Sequence, residues 1–359
     1  MAQVAAQAGF DCRVNMLRDN STVRIALVGA SSLRGKELKS VIEDWKWPSG
    51  ISPEIVLFDT SLPAGTLTEA GGEPTFVKPL EPENFSGVRF TFFAGNTAEV
   101  RANSKMARDA GADIIDLTGA LDTEAGAAPW IPTLDSLLPP ANPPSRNGRG
   151  IFISPAPAVI IACTLAAALQ RFLPRRFAIL FFPPVSEREQ PGVDELESQT
   201  SALLSLKPFS QEVFDSQVAF NLLAGYGESS RPSIAELCSE ITARVSAYLN
   251  GRLPVPVLQF IQAPVFYGYA FAAFADLASP PDIAAIESGL AAAGVRVSSA
   301  GEASPSNVSI AGEEKICLSR VECSANSPQC LWLWGVADNL RLPAVNAVRI
   351  AEELLAPKM

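Results

Sequence analysis

The residue types that could do chemistry in this chain are few and thinly spread. Gly29-Ala30-Ser31-Ser32-Leu33-Arg34-Gly35 lies between an apolar run, Val23-Arg24-Ile25-Ala26-Leu27-Val28, and a helix-like stretch over residues 36–45. A glycine turn in that place can bring backbone N–H groups and a helix N-terminus against a phosphate. Gly29 would allow the tight turn and Gly35 close helix packing. The spacing is not G-x-G-x-x-G, so the same residues also read as a plain strand-to-helix turn. Asp59 ends the next apolar run, where a carboxylate can take a ribose 2′-hydroxyl; it can equally cap a turn. A dinucleotide held by Asp59 would be NAD rather than NADP, because the carboxylate repels a 2′-phosphate. Against these signals stands an absence. The 359 residues include no histidine, which removes every Ser-His and Cys-His mechanism.

The six cysteines, Cys12, Cys163, Cys238, Cys317, Cys323 and Cys330, form no CxxC pair. They read as buried thiols of a reducing compartment, and no metal site is expected without close thiolates or imidazole. Cys163 lies within an apolar helical stretch and reads as a core thiol. Glu195 and Glu197 read as part of a solvated helix face. A net charge of -10 argues against nucleic acid or an anionic membrane as partner. With 48% apolar and 18% charged residues, the chain can build two domains around sizeable cores. No run has the length and apolarity of a membrane span or a signal peptide, so no membrane insertion is expected and the cytoplasm is the default location.

The elements that must position these residues repeat as strand, turn, helix, strand. Strands are predicted over 23–28, 54–58, 88–93, 113–117 and 150–154, with a helix over 98–110. This is the pattern of a doubly wound sheet. A Pro-rich run, Leu138-Pro139-Pro140-Ala141-Asn142-Pro143-Pro144, reads as an extended loop. An apolar helix over 158–172 follows. Beyond it, strands over 177–182, 255–262, 267–274 and 330–336 alternate with helices over 233–249 and 283–293. A closing helix spans 344–355. The expected fold class is therefore α/β: an N-terminal Rossmann-like doubly wound domain and a C-terminal α+β domain with a mostly antiparallel sheet. The expected divisions are an N-terminal extension 1–20, a dinucleotide-binding-type domain 21–153, an α+β domain 154–335, and a C-terminal helix 336–359 returning to the first domain.

Several segments, in order, resemble the bacterial aspartate-semialdehyde dehydrogenase family. They are the glycine turn, Phe93-Ala94-Gly95-Asn96-Thr97, Gly111-Ala112-Asp113-Ile114-Ile115-Asp116, Val193-Asp194-Glu195-Leu196-Glu197-Ser198-Gln199-Thr200, Gln217-Val218-Ala219-Phe220-Asn221 and Pro264-Val265-Phe266-Tyr267-Gly268. The most specific is Trp334-Gly335-Val336-Ala337-Asp338-Asn339-Leu340-Arg341, followed by Asn346-Ala347-Val348. The family reduces aspartyl phosphate to the semialdehyde with NADPH, through a cysteine thioester, a histidine and substrate-holding arginines. The turn reading and the resemblance together put the candidate cofactor contacts at Gly29, Ser31, Ser32, Leu33, Gly35, Asp59, Gly95 and Asn339.

The resemblance also implies that the catalytic positions are degenerate. Ser154-Pro155-Ala156-Pro157 stands where the family has Asn-Pro-Asn-Cys, so Pro157 replaces the nucleophile. A proline has no nucleophilic atom but suits the first position of a helix. Tyr269 replaces the histidine, and Gln262 replaces a substrate arginine. Asp122 replaces a second arginine with the opposite charge. Glu236 falls at an expected lysine and Leu62 at the arginine that grips the 2′-phosphate. Ser186-Glu187-Arg188-Glu189 fills a loop that is Ser-Gly-Ala-Gly in the family. Loss of nucleophile and base together costs on the order of 10⁶ in rate, roughly 8 kcal/mol of barrier. The chain is similar in kind to the Usg-1 type of divergent relative, which lacks the cysteine.

Two functional readings follow. One is a catalytically inactive homologue that acts as a dimeric scaffold, a regulatory partner or a subunit of an assembly. It forms a homodimer, through the sheet the family uses for that purpose, or pairs with a different protein. The other is a NAD(P)-dependent semialdehyde dehydrogenase-type oxidoreductase of altered or residual activity.

Overall fold

The computed structural model describes residues 21–140 and 149–356. The expected extension 1–20, Cys12 and the Ala141-to-Pro144 half of the Pro-rich run lie outside the described residues.

The first domain begins with β1 (Ser21–Val28), α1 (Leu33–Asp44) and β2 (Ile51–Phe58). A hairpin of β3 (Leu67–Ala70) and β4 (Glu73–Phe76) follows; its turn is Gly71-Gly72, a signal the strand pattern above passed over. Then come β5 (Phe90–Phe93), α2 (Thr97–Asp109), β6 (Asp113–Asp116), β7 (Ala127–Pro129) and β8 (Ile151–Ile153). Six of these strands form a wholly parallel sheet in the order β2-β1-β5-β6-β8-β7. β5 and β6 are buried at every position, as the continuous apolar runs of a two-sided parallel sheet require. The chain leaves β1 to build β2 on one side and β5 on the other. The gap beyond β1 and β5 is thus the topological switch point, where doubly wound sheets open a crevice.

The second domain starts with α3 (Pro157–Leu169), buried along its whole length. It continues with β9 (Arg176–Phe182), α4 (Glu189–Leu204), α5 (Ile234–Leu249), β10 (Val257–Phe260), β11 (Tyr269–Asp276) and α6 (Ile283–Ala292). Short strands β12 (Arg296–Val297), β13 (Cys317–Leu318) and β14 (Glu322–Ser324) precede the long β15 (Ser327–Ala337). The sheet runs β10-β9-β11-β15-β13-β12, with β14 also on β15. Its centre is antiparallel, and the pairs β10–β9 and β12–β13 are parallel. One face packs Phe181, Phe260, Phe271, Leu331 and Leu333 against α3, α5 and α6. Strand alternation leaves the other face lined by Val257, Trp332 and Trp334. The closing helix α7 (Arg341–Leu355) crosses back and buries Ala344, Val345, Val348 and Ile350 in the first domain's core with Ile25, Leu27 and Leu38. It begins earlier than the periodicity predicted, because Asp338 caps it from outside the apolar run, accepting from Leu340 and Arg341 at 3.0 Å each.

Candidate functional site

Gly29 and Gly95 stand back to back at the switch point. Gly29 turns the chain with φ +85°, and a methyl group on it would collide with the Gly95 backbone. Gly35 meets the Gly29 carbonyl in the same way. The glycines therefore serve the close approach of strand and helix.

The N–H groups of the turn are spent within the protein. Gly29 and Ala30 donate to the Phe58 carbonyl at 2.9 and 3.2 Å, and Ser32 donates to Gly29 at 3.2 Å. Ser32 caps α1, its Oγ accepting from the Gly35 N–H at 2.8 Å. Ser31 donates to Asp59 Oδ2 at 2.6 Å, while Asp59 Oδ1 accepts from Ser61 at 2.7 Å and Leu62 at 3.2 Å. Of the two roles open to Asp59, the turn cap matches these contacts; backbone donors engage both of its oxygens.

Leu33, the first residue of α1, directs its N–H across the cleft. It donates to Glu189 Oε2 at 2.8 Å, and Arg34 Nε donates to Glu189 Oε1 at 2.5 Å. Glu189 opens α4, so a carboxylate of the second domain sits on the helix end that receives phosphate in dinucleotide-binding folds. Glu99, from the first turn of α2, is buried over Gly95. Burial raises its carboxyl above the usual range, partly offset by a hydrogen bond from Thr60, and Asp59 adds to the rise. As arranged, these residues do not fit a dinucleotide: two carboxylates occupy the trough between the glycines and the helix end.

The positions that the resemblance assigned to chemistry are turned to structure. Pro157 is the buried first residue of α3, with Ala156 before it supplying no side-chain cap. Cys163 lies two turns into the same helix, and burial pushes its thiol far above its ordinary value. Tyr269 is 2% exposed and meets the Phe181 ring edge-on at 5.6 Å. Burial holds its phenol well above 10, with the nearby Glu187 and Tyr226 adding to the effect. Gln262 is enclosed: Nε2 donates to Pro183 and Ala263 carbonyls at 2.9 Å, and Oε1 accepts from the Tyr226 hydroxyl at 2.7 Å. Asp122 pairs with Arg244 of α5 at 2.6 Å, tying the loop after β6 to the second domain. Burial raises the Asp122 carboxyl, and Arg244 pulls it back down. Beside this pair lies a cavity of about 250 Å³ lined by Thr118, Ser154, Pro155 and Val159.

Asn339 is the hub of what remains. Its Oδ1 accepts from the Gly268 N–H at 3.0 Å, and its Nδ2 donates to Glu187 Oε1 at 3.0 Å and Ser186 Oγ at 3.1 Å. Solvent still reaches the Glu187 side chain, but the walls of the cleft desolvate its carboxylate and push it up to about 7, against the pull of Asn339 and Arg34.

Two sequence readings need correction. Glu236 belongs to no cleft: it is an exposed capping-box residue, accepting from the Ser233 N–H at 2.7 Å. Glu195 is not on a solvated face. It is buried, and accepts from Val213 at 2.5 Å and Phe214 at 3.3 Å, which anchors the loop after α4. Arg244, Tyr226 and Glu99 went unremarked. Only Glu99 had a usable signal, three residues after the N-cap Asn96.

Residues 182–342 match the family model of the semialdehyde dehydrogenase dimerisation domain. A USG-1 protein homolog of Pseudomonas aeruginosa is 29% identical over 93% of this chain and 98% of its own length. The aspartate-semialdehyde dehydrogenase of Rickettsia bellii is 24% identical over 92% and 97%. Among solved structures, a probable aspartate-semialdehyde dehydrogenase from Pseudomonas aeruginosa superposes with a TM-score of 0.79 at 29% identity, over 93% of this chain and 99% of that one. Aspartate semialdehyde dehydrogenase II of Vibrio cholerae has the same fold, with a TM-score of 0.79 at 22% identity over 93% and 99%.

Proposed function

We propose, for a chain that belongs to the aspartate-semialdehyde dehydrogenase family, that it works without the family's chemistry, as a homodimeric scaffold or regulatory subunit. The observation that carries this reading is Pro157. It begins α3 where the resemblance requires a thiolate at a helix N-terminus, and its ring offers no electron pair to a carbonyl. Tyr269 and Gln262, at the places of the base and a substrate cation, are spent on packing and loop hydrogen bonds. Asp122 at the second cation position is paired internally with Arg244, which also bridges Glu240. What persists is the second sheet with its apolar outer face, which supports self-association.

The experiment is an assay of the purified chain with aspartate semialdehyde, phosphate and NADP, followed by nicotinamide absorbance. No turnover above buffer is expected. Turnover approaching that of an active family member would sink the reading.

One observation favours the alternative, an oxidoreductase of altered chemistry. Glu187 is a carboxyl at about 7 in the cleft, a value suited to proton transfer at neutral pH. Turnover with some other semialdehyde that is lost in Glu187→Gln would support it; a panel of semialdehydes without any turnover would remove it.

A further inference from the structure

Glu189 has a backbone that glutamate rarely adopts. Its φ of +55° with ψ of −159° lies in a region open to glycine and costly to an L-residue. The resemblance places a glycine of the family's loop here, so the glycine-type conformation has been kept while a charged side chain was added. Something must hold it. Its two carboxylate oxygens are engaged by the Leu33 N–H and the Arg34 guanidinium, both on the first turn of α1. Arg34 also donates to the Leu117 carbonyl at 3.4 Å, which fixes the guanidinium against the sheet.

A second carboxylate fills the adjoining space. Glu99 is 6% exposed, and its Oε1 has no hydrogen-bond partner among the described residues. It lies against Gly95, in the trough a nucleotide would need. Two carboxylates, Glu99 from α2 and Glu189 from α4, therefore fill the crevice, and the capping carboxylate of Asp59 lies close enough to act on Glu99.

We infer that Glu189 is an internal anion that replaces the dinucleotide phosphate, clasping the second domain onto α1 and closing the nucleotide site in the native protein. Glu99 occupies the neighbouring part of the same trough. Any dinucleotide must displace a paired carboxylate and then meet the charge of the others. This inference concerns binding alone. Turnover by the native chain would sink the non-catalytic reading above, whereas nucleotide binding without turnover would sink only the clasp.

The test is an equilibrium titration of the full chain with NADH and NADPH, read by nicotinamide fluorescence. The native protein is expected to show no saturation at millimolar nucleotide. Glu189→Gly suits the positive φ and should fold; combined with Glu99→Ala it is expected to gain at least about tenfold in affinity for one of the two. Amide exchange at Leu33 should accelerate by about tenfold in Glu189→Gly, since its acceptor is gone. Saturable binding by the native chain, unchanged Leu33 exchange, or no gain in the double variant each overturns the clasp.

Discussion

At the scale of single residues, the cleft has exchanged reacting groups for groups that bind one another. Glu187 illustrates the consequence. Desolvation by the cleft walls pushes its carboxyl up from 4.5 to about 7. The folded state then holds a proton more tightly than the unfolded chain does, so stability is greatest below about 4.5 and falls as pH rises through about 7. Glu187→Gln removes the titration. Its melting temperature is expected to match the native chain at low pH and to exceed it above neutrality, by on the order of a few degrees at most because solvent screens the group. Thermal melts at pH values on either side of this window check it. A native chain that gains stability over the variant as pH rises would contradict the assignment.

At the scale of elements, helix ends do much of the positioning. α5 carries Arg244 to Asp122 and begins with the reciprocal pair of Ser233 and Glu236. A capping serine satisfies a helix N–H that has no partner within the helix, and its loss costs about 1 kcal/mol. Ser233→Ala is therefore expected to raise amide exchange in the first turn of α5 by about fivefold. The core under the far end of the helix should stay protected. Exchange that is unchanged at Glu236 would mean the cap contributes nothing. α1 is capped twice, by Ser32 from the turn that precedes it and by Glu189 from across the cleft. The second cap couples two domains, which a local cap cannot do.

At the scale of the whole molecule, the second sheet packs its helices on one face, and on the other the segment around Ile310 covers Ala270 and Val336 but leaves an apolar row open. Val257 is 71% exposed and Trp332 58%, on an outer face that also carries Trp334. Large apolar side chains in a row on one sheet face mark an association surface. Trp332→Asp with Trp334→Asp is expected to convert the protein from dimer to monomer in sedimentation velocity. The fold should survive, because both side chains lie opposite the core that Leu331 and Leu333 enter; the loss of the Trp334 hydrogen bond to the Pro305 carbonyl is confined to that outer face. A double variant that sediments like the native protein would rule this face out as the dimer interface.

Local pattern was enough for much of this molecule. The apolar runs, the glycine turn after β1 and the alternation in β15 are properties of neighbours in sequence, and they prescribed a doubly wound sheet followed by an α+β domain. The absence of histidine and the proline at position 157 likewise needed no coordinates. The destinations of the charges were not legible. Glu189 and Leu33 are 156 residues apart, and Asp122 meets Arg244 across the interdomain cleft. Such pairings carry no period, so a carboxylate bound for a buried helix end looks the same in the chain as one bound for water. The folded geometry alone separated Glu195, buried under a loop, from Glu197 two residues on, exposed on the surface of the same helix.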